Sequence, residues 1–135
     1  MITISEETID VSKVIESVSQ PGAGAVNIFI GVIRDTAGEK KVIQLEYEAY
    51  EKMAITEVQK IIDRASKKWE ISGFGVSHRI GVLKPGEVAV VVAISTRHRK
   101  ESFKACQFII DEIKKTVPIF KKEVVESGET WVGSQ

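Results

Sequence analysis

Two groups of cations stand out in this chain as side chains whose types and spacing can do chemistry. Lys114 and Lys121 flank Pro118. Lys114 falls in the last turn of a predicted helix and Lys121 early in the strand that follows. A chain that bends at the proline can bring both amines to one pocket, where each lowers the other's pKa and makes one a nucleophile or base. The same spacing is met by cations that merely favour a helix C-terminus. The second group, Arg97-His98-Arg99-Lys100, follows an apolar strand and opens a helix. Backbone N–H groups at a helix start favour anions, and His98 and Arg99 can add charge-assisted hydrogen bonds to a phosphate or carboxylate. An exposed strand-to-helix turn fits these four residues equally well.

Other chemistries find few residues. Cys106 is the lone cysteine, so no intrachain disulfide forms, and its place on an apolar helix stripe makes it a small buried hydrophobe. His78 and His98 lie on different predicted elements with no cysteine or aspartate at ligand spacing, so no metal is expected. Gly22–Gly24 and Gly73–Gly75 lack the context of a phosphate loop.

The elements that must position these residues follow from periodicity. The chain has 135 residues, 19 basic and 19 acidic, a length for one domain over residues 1–135. Thr3 and Ile4 belong to a short edge strand. Asp10 caps a helix with Val11, Val14, Ile15 and Val18 on its apolar face. Ala25 to Ile33 reads as a buried strand and Arg34 to Lys40 as a polar loop. Val42 to Glu48 alternates, with Ile43, Leu45 and Tyr47 on one face. A second helix runs from about Tyr50 to Trp69 with a stripe of Ala54, Val58, Ile61, Ile62, Ala65 and Trp69. Phe74–Ile80 and Val88–Ser95 pair as an antiparallel hairpin, the second strand buried on both faces. Lys84-Pro-Gly-Glu87 places Pro and Gly where a type II turn needs them. A third helix begins at Arg99–Ser102, buries Phe103, Cys106, Ile109, Ile110 and Ile113, and ends before Pro118. A strand follows over Ile119–Val125, and Trp131-Val132 packs near the C-terminus. The predicted fold class is α+β, one mixed, mostly antiparallel sheet with about three helices.

Net neutrality excludes a general polyanion-coating protein, yet charge is uneven. Residues 97–122 hold eight basic side chains against three acidic ones, a compact anion site or a solvated helix face. A phosphate- or RNA-binding module is the rival reading. The N-terminus has no basic region followed by an apolar core, and no apolar run is long enough to span a membrane, so a cytoplasmic setting without membrane contact is expected.

Geometry separates the two cation groups. His98 and Lys114 are sixteen residues apart on one helix, roughly 24 Å. They serve two sites, or a symmetric dimer brings His98 and Arg99 of one copy to Lys114 of the other.

The segment from Arg97 to Glu123 resembles the large, catalytic subunit of molybdopterin synthase, the MoaE family. So, in the same order, do Gly24–Arg34, His78-Arg-Ile-Gly81, Pro85-Gly-Glu87 and Gly128-Glu-Thr-Trp-Val132. The resemblance covers residues 20–132 and implies an α/β-hammerhead-like α+β fold. It implies a sulfurtransferase of molybdenum cofactor biosynthesis. Such an enzyme converts cyclic pyranopterin monophosphate into molybdopterin with sulfur from the C-terminal thiocarboxylate of a small ubiquitin-like carrier ending in Gly-Gly. It further implies a homodimer within a heterotetramer, and no bound cofactor. By correspondence Lys114 and Lys121 are catalytic. Val32, Ile33 and Arg34 belong to the pterin pocket, Lys122 and Glu123 accompany Lys121, and His98 and Arg99 come from the neighbouring protomer. Many relatives carry a further tail beyond the position of Gln135, and contacts from it are not carried over. Ile110 stands where relatives carry other apolar residues.

Overall fold

The computed structural model describes residues 1–134, except for the side chains of residues 129–131, 133 and 134. In chain order the elements are β1 (Ile2–Ser5), α1 (Val11–Val18), β2 (Ala25–Val32), β3 (Thr36–Ala37), β4 (Lys40–Ala49) and α2 (Glu51–Lys68). They continue with β5 (Gly73–Arg79), β6 (Gly81–Leu83), β7 (Val88–Thr96), α3 (Arg99–Thr116), β8 (Ile119–Val125) and β9 (Gly128–Ser134). Three helices and mostly antiparallel strands make the α+β class expected from the sequence.

The strands form two sheets where one was expected. The first has the order β1-β5-β7-β2, with only the β1–β5 pair parallel. The second has the order β3-β4-β8-β9, and β6 joins it by pairing with β4. The division arises between β5 and β6. After Arg79 the chain turns through Gly81, whose φ of 90° suits a residue without a side chain, and Gly81 then pairs with Tyr47 of β4.

β7 sits inside the first sheet and alternates between two apolar layers. Val91 and Ala93 pack with Val14 and Val18 of α1, whereas Val92 and Ile94 join the main core with α2 and α3. Burial on both faces is therefore real for this strand. The second sheet closes the main core with Val42, Leu45, Tyr47, Leu83, Ile119 and Val125. Burying these large apolar side chains stabilises the fold by roughly 1.5–3 kcal/mol each before chain entropy is counted.

Helix limits follow the predicted signals. The Asp10 side chain accepts from Lys13 N–H at 3.3 Å, capping α1. α3 stops at Thr116, because Val117 precedes Pro118 and takes extended angles (φ −80°, ψ 129°). The Lys84–Glu87 turn has Gly86 at φ 91° and a Glu87 N–H to Lys84 carbonyl bond of 3.1 Å.

Several expectations fail locally. Ile15 of α1 is exposed, while Val14 and Val18 carry the buried face. β2 is not fully buried: it lies at a sheet edge, and Val26, Ile30 and Val32 are each more than 40% exposed. Ile43 faces outward, because the β4–β8 register slips between Val42 and Gln44 and transfers the inward place to Val42. Phe103 is exposed, and the buried face of α3 is Ser102, Ala105, Cys106, Ile109 and Ile113. Thr36–Ala37 leaves the polar loop to pair with Lys40–Lys41 as a small hairpin. The packing expected of Trp131 lies outside the described residues, and Val132 is exposed.

Candidate functional site

A cavity of about 500 Å³ opens at the seam between the two sheets. Several separate stretches of chain build it, Ala89 and Val90 of β7 among them. The end of β2 and its continuation supply Phe29 to Arg34, β4 and β8 supply Leu45, Tyr47, Lys121 and Glu123, and the last turn of α3 supplies Lys114. Lys114 and Lys121 thus share one cavity, and only Val117 and Pro118 separate the elements that carry them.

Local folding explains each placement. Lys121 pairs directly with Tyr47 across β4 and β8, so the two side chains share a face, with Glu123 two residues on. The β2–β7 register slips between Gly31 and Val32 and leaves Ala89 as an extra residue. A bulge of this kind re-aims a strand end. Here it sends Ile33 into the core, 4% exposed, while Arg34 lines the cavity.

The electrostatics are those of a cationic pocket holding one carboxylate. Lys121 is held below the usual lysine range mainly by burial, with the charges of Arg34 and Lys114 acting in the same direction and Glu123 opposing them. The Tyr47 phenol is pushed up to about 12 by burial and by Glu123. The Lys114 ammonium stands 6.0 Å from the centre of the Phe29 ring, within cation–π range. Behind the pocket His78 is buried and donates Nδ1–H to the Arg79 carbonyl at 2.8 Å. That bond fixes the neutral tautomer with its hydrogen on Nδ1. Burial lowers its pKa to about 4, and its ring meets Tyr47 edge-on at 5.0 Å. Cys106 is buried with its thiol raised to about 11 by burial, as its helix position implied.

Of the residues singled out in the sequence, Val32, Ile33, Arg34, Lys114, Lys121 and Glu123 line this cavity. Lys122 does not. Strand alternation turns it to the opposite face of β8, where it pairs with Glu46 at 2.8 Å. His98 and Arg99 do not line it either: they begin α3, and Lys114 lies in its last turn. Sequence reasoning missed Phe29 and Tyr47 as walls of the cavity. The alternation of β4 placed Tyr47 on the inner face, but its juxtaposition with Lys121 depends on a strand register that single strands do not reveal. Among the described residues, no group of three or more His, Cys, Asp or Glu side chains is arranged to hold a metal ion, and no helix is long and apolar enough to cross a membrane.

Fold and cavity together define a class: an α+β chain with a cationic, partly apolar pocket at the junction of two sheets. The family model described as MoaE protein matches residues 4–116, and the chain belongs to that family. It is 43% identical to the molybdopterin synthase catalytic subunit of Bacillus subtilis, over 98% of this chain and 84% of that protein. Against the human molybdopterin synthase catalytic subunit it is 39% identical, over 100% and 72%. Among solved structures, molybdopterin synthase from Staphylococcus aureus superposes with a TM-score of 0.93 at 37% identity, covering 97% of this chain and 96% of that one. A complex of subunits 1 and 2 of molybdopterin-converting factor from Helicobacter pylori has the same fold, with a TM-score of 0.80 at 18% identity.

Proposed function

We propose that this chain is the catalytic subunit of a molybdopterin synthase. It transfers sulfur from the C-terminal thiocarboxylate of a small ubiquitin-like carrier to cyclic pyranopterin monophosphate, giving the dithiolene of molybdopterin. The observation that carries the reading is the shared cavity of Lys114, Lys121 and Arg34 in a chain of the MoaE family.

The residue types suit the chemistry. The substrate carries a phosphate and the carrier brings an anionic tail, so both need cations in one place. Attack by the thiocarboxylate sulfur on a side-chain carbon of the pterin breaks that carbon's bond to oxygen, and two ammonium groups stabilise the charge left on the oxygen. Water then cleaves the resulting thioester, leaving sulfur on the pterin and a carboxylate on the carrier. Lys121, held below the usual lysine range mainly by burial, is suited to give up a proton in the reaction. Arg34 binds the substrate beside Val32 and over the buried Ile33, and Glu123 sets the charge balance around Lys121. The sulfur comes from the carrier, so Cys106 can stay buried.

His98 and Arg99 reach a site only through a second copy of the chain. A two-fold dimer with a carrier on each copy accommodates this and makes a heterotetramer. Lys122 belongs to the supporting sheet rather than to the pocket.

The test is reconstitution. The chain is mixed with a thiocarboxylated carrier and cyclic pyranopterin monophosphate, and dithiolene formation is followed. Wild type should form product, and Lys114→Ala should lose at least about a hundredfold in rate, as removal of a charge-stabilising group does. Full activity of Lys114→Ala, or no product from wild type, overturns the proposal.

A further inference from the structure

Two segments that carry the family resemblance, around Arg79 and around Glu87, contribute no side chain to the cavity of Lys114 and Lys121. Their contacts nevertheless lead to it. Glu87 Oε2 accepts from Arg79 Nη1 at 2.9 Å and from the Lys84 N–H at 3.3 Å, and Arg79 Nε donates to the Glu6 carbonyl at 3.0 Å. The turn so held grips Ile33 through both polar groups of its backbone. The Ile33 N–H donates to the Glu87 carbonyl at 3.0 Å, and the Gly86 N–H donates to the Ile33 carbonyl at 2.8 Å. One residue beyond Arg34, the Asp35 carbonyl accepts from Val42 N–H at 2.8 Å. Arg34 thus projects from a backbone pinned on both sides, just past the point where β2 meets the bulge at Ala89.

We propose that Arg79 and Glu87 are positioning residues for the pocket: their ion pair holds the 84–87 turn as a backbone clamp on Ile33, and the clamp sets where the Arg34 guanidinium stands. Arginine has many rotamers, and an anion gains from it in proportion to how well its base is fixed. The role of Arg34 toward substrate rests on the function proposed above.

The variants are Glu87→Gln, which keeps shape and an acceptor for Lys84 N–H but removes the charge, and Arg79→Gln. Each is assembled with thiocarboxylated carrier. Three quantities are read: hydrogen exchange of the Ile33 amide, KM against kcat for cyclic pyranopterin monophosphate, and affinity for the carrier. Ile33 exchange should quicken and KM rise about fivefold, the scale of a partly exposed ion pair, with kcat and carrier affinity unchanged. Arg34→Ala combined with Glu87→Gln should have the KM of Arg34→Ala alone, because the second residue acts through the first. Unchanged Ile33 exchange overturns the clamp, and so do KM effects that multiply in the double variant. If exchange quickens while Arg34→Ala leaves KM unmoved, the clamp stands and the substrate role of Arg34 falls. Should the ion-pair variants fail to fold, Gly86→Ala loosens the turn by strain at φ 91° without touching the pair, and the same readouts apply.

Discussion

At the residue scale, the pocket is backed by a histidine that cannot readily charge. His78 is held at a pKa of about 4 by burial, with its Nδ1–H committed to a carbonyl. An unfolded chain protonates the same ring near 6.5. Between those two pH values the unfolded state binds more protons, so stability rises with pH. The contribution is fully present above about pH 6.5 and is lost as pH falls toward 4. Two and a half pKa units correspond to roughly 3 kcal/mol. Urea titrations of wild type and His78→Leu across pH 4–7 should show a shallower acid slope in the variant. Parallel slopes would show that burial of this ring is not what costs the protein its stability in acid. Composition gave no hint of this, because a histidine on a strand face looks the same whether solvent or Tyr47 lies over it.

At the scale of elements, α3 links the core to the pocket. Its buried stripe runs to Ile113, one residue before Lys114. Ile109 is fully buried in that stripe, and Ile109→Ala should destabilise the chain by about 2–5 kcal/mol, measured by denaturant unfolding, through the cavity it leaves. A loss under 1 kcal/mol would mean that the helix packs more loosely than described. Periodicity revealed this helix and its end before Pro118, because both depend on local rules. It misplaced Phe103, which the same period allows on the stripe but which neighbouring elements leave uncovered. A bulge caused one further local error: Ile43 and Val42 exchange roles at a register slip against Val124 and Val125 of β8, far later in the chain. The cations at 114 and 121 were legible because one proline joins their elements. The Arg34 wall was legible only through family resemblance, since its approach depends on the pairing of β2 with β7 and the turn before it.

At the scale of the whole molecule, the proposed site is divided between copies. His98 and Arg99 belong to one end of α3 and Lys114 to the other, and no bending within a chain joins them. Complementation tests this directly. Mixing equal amounts of His98→Ala and Lys114→Ala chains and allowing exchange gives about half mixed dimers, each with one intact site of two. Activity should recover to about a quarter of the wild-type level, while each variant alone stays near zero. If the mixture is no better than its components, the site is complete within one chain and the dimer reading fails. Neutral net charge concealed this arrangement, since it averages a basic stretch over 97–122 with acidic residues elsewhere.

The junction between α3 and β8 sets how much length variation the chain tolerates. Val117 and Pro118 are the whole connection between the helix that carries Lys114 and the strand that carries Lys121. The spacing of the two amines is thus written into chain length as well as into side-chain identity. Three glycines inserted after Val117 should leave a folded protein, by circular dichroism, without product formation. The same insertion beside the exposed Gly22 should leave product formation intact, because open space surrounds that turn. Length drift among descendants of this sequence should therefore gather at such outlying turns, while the two-residue junction stays at two.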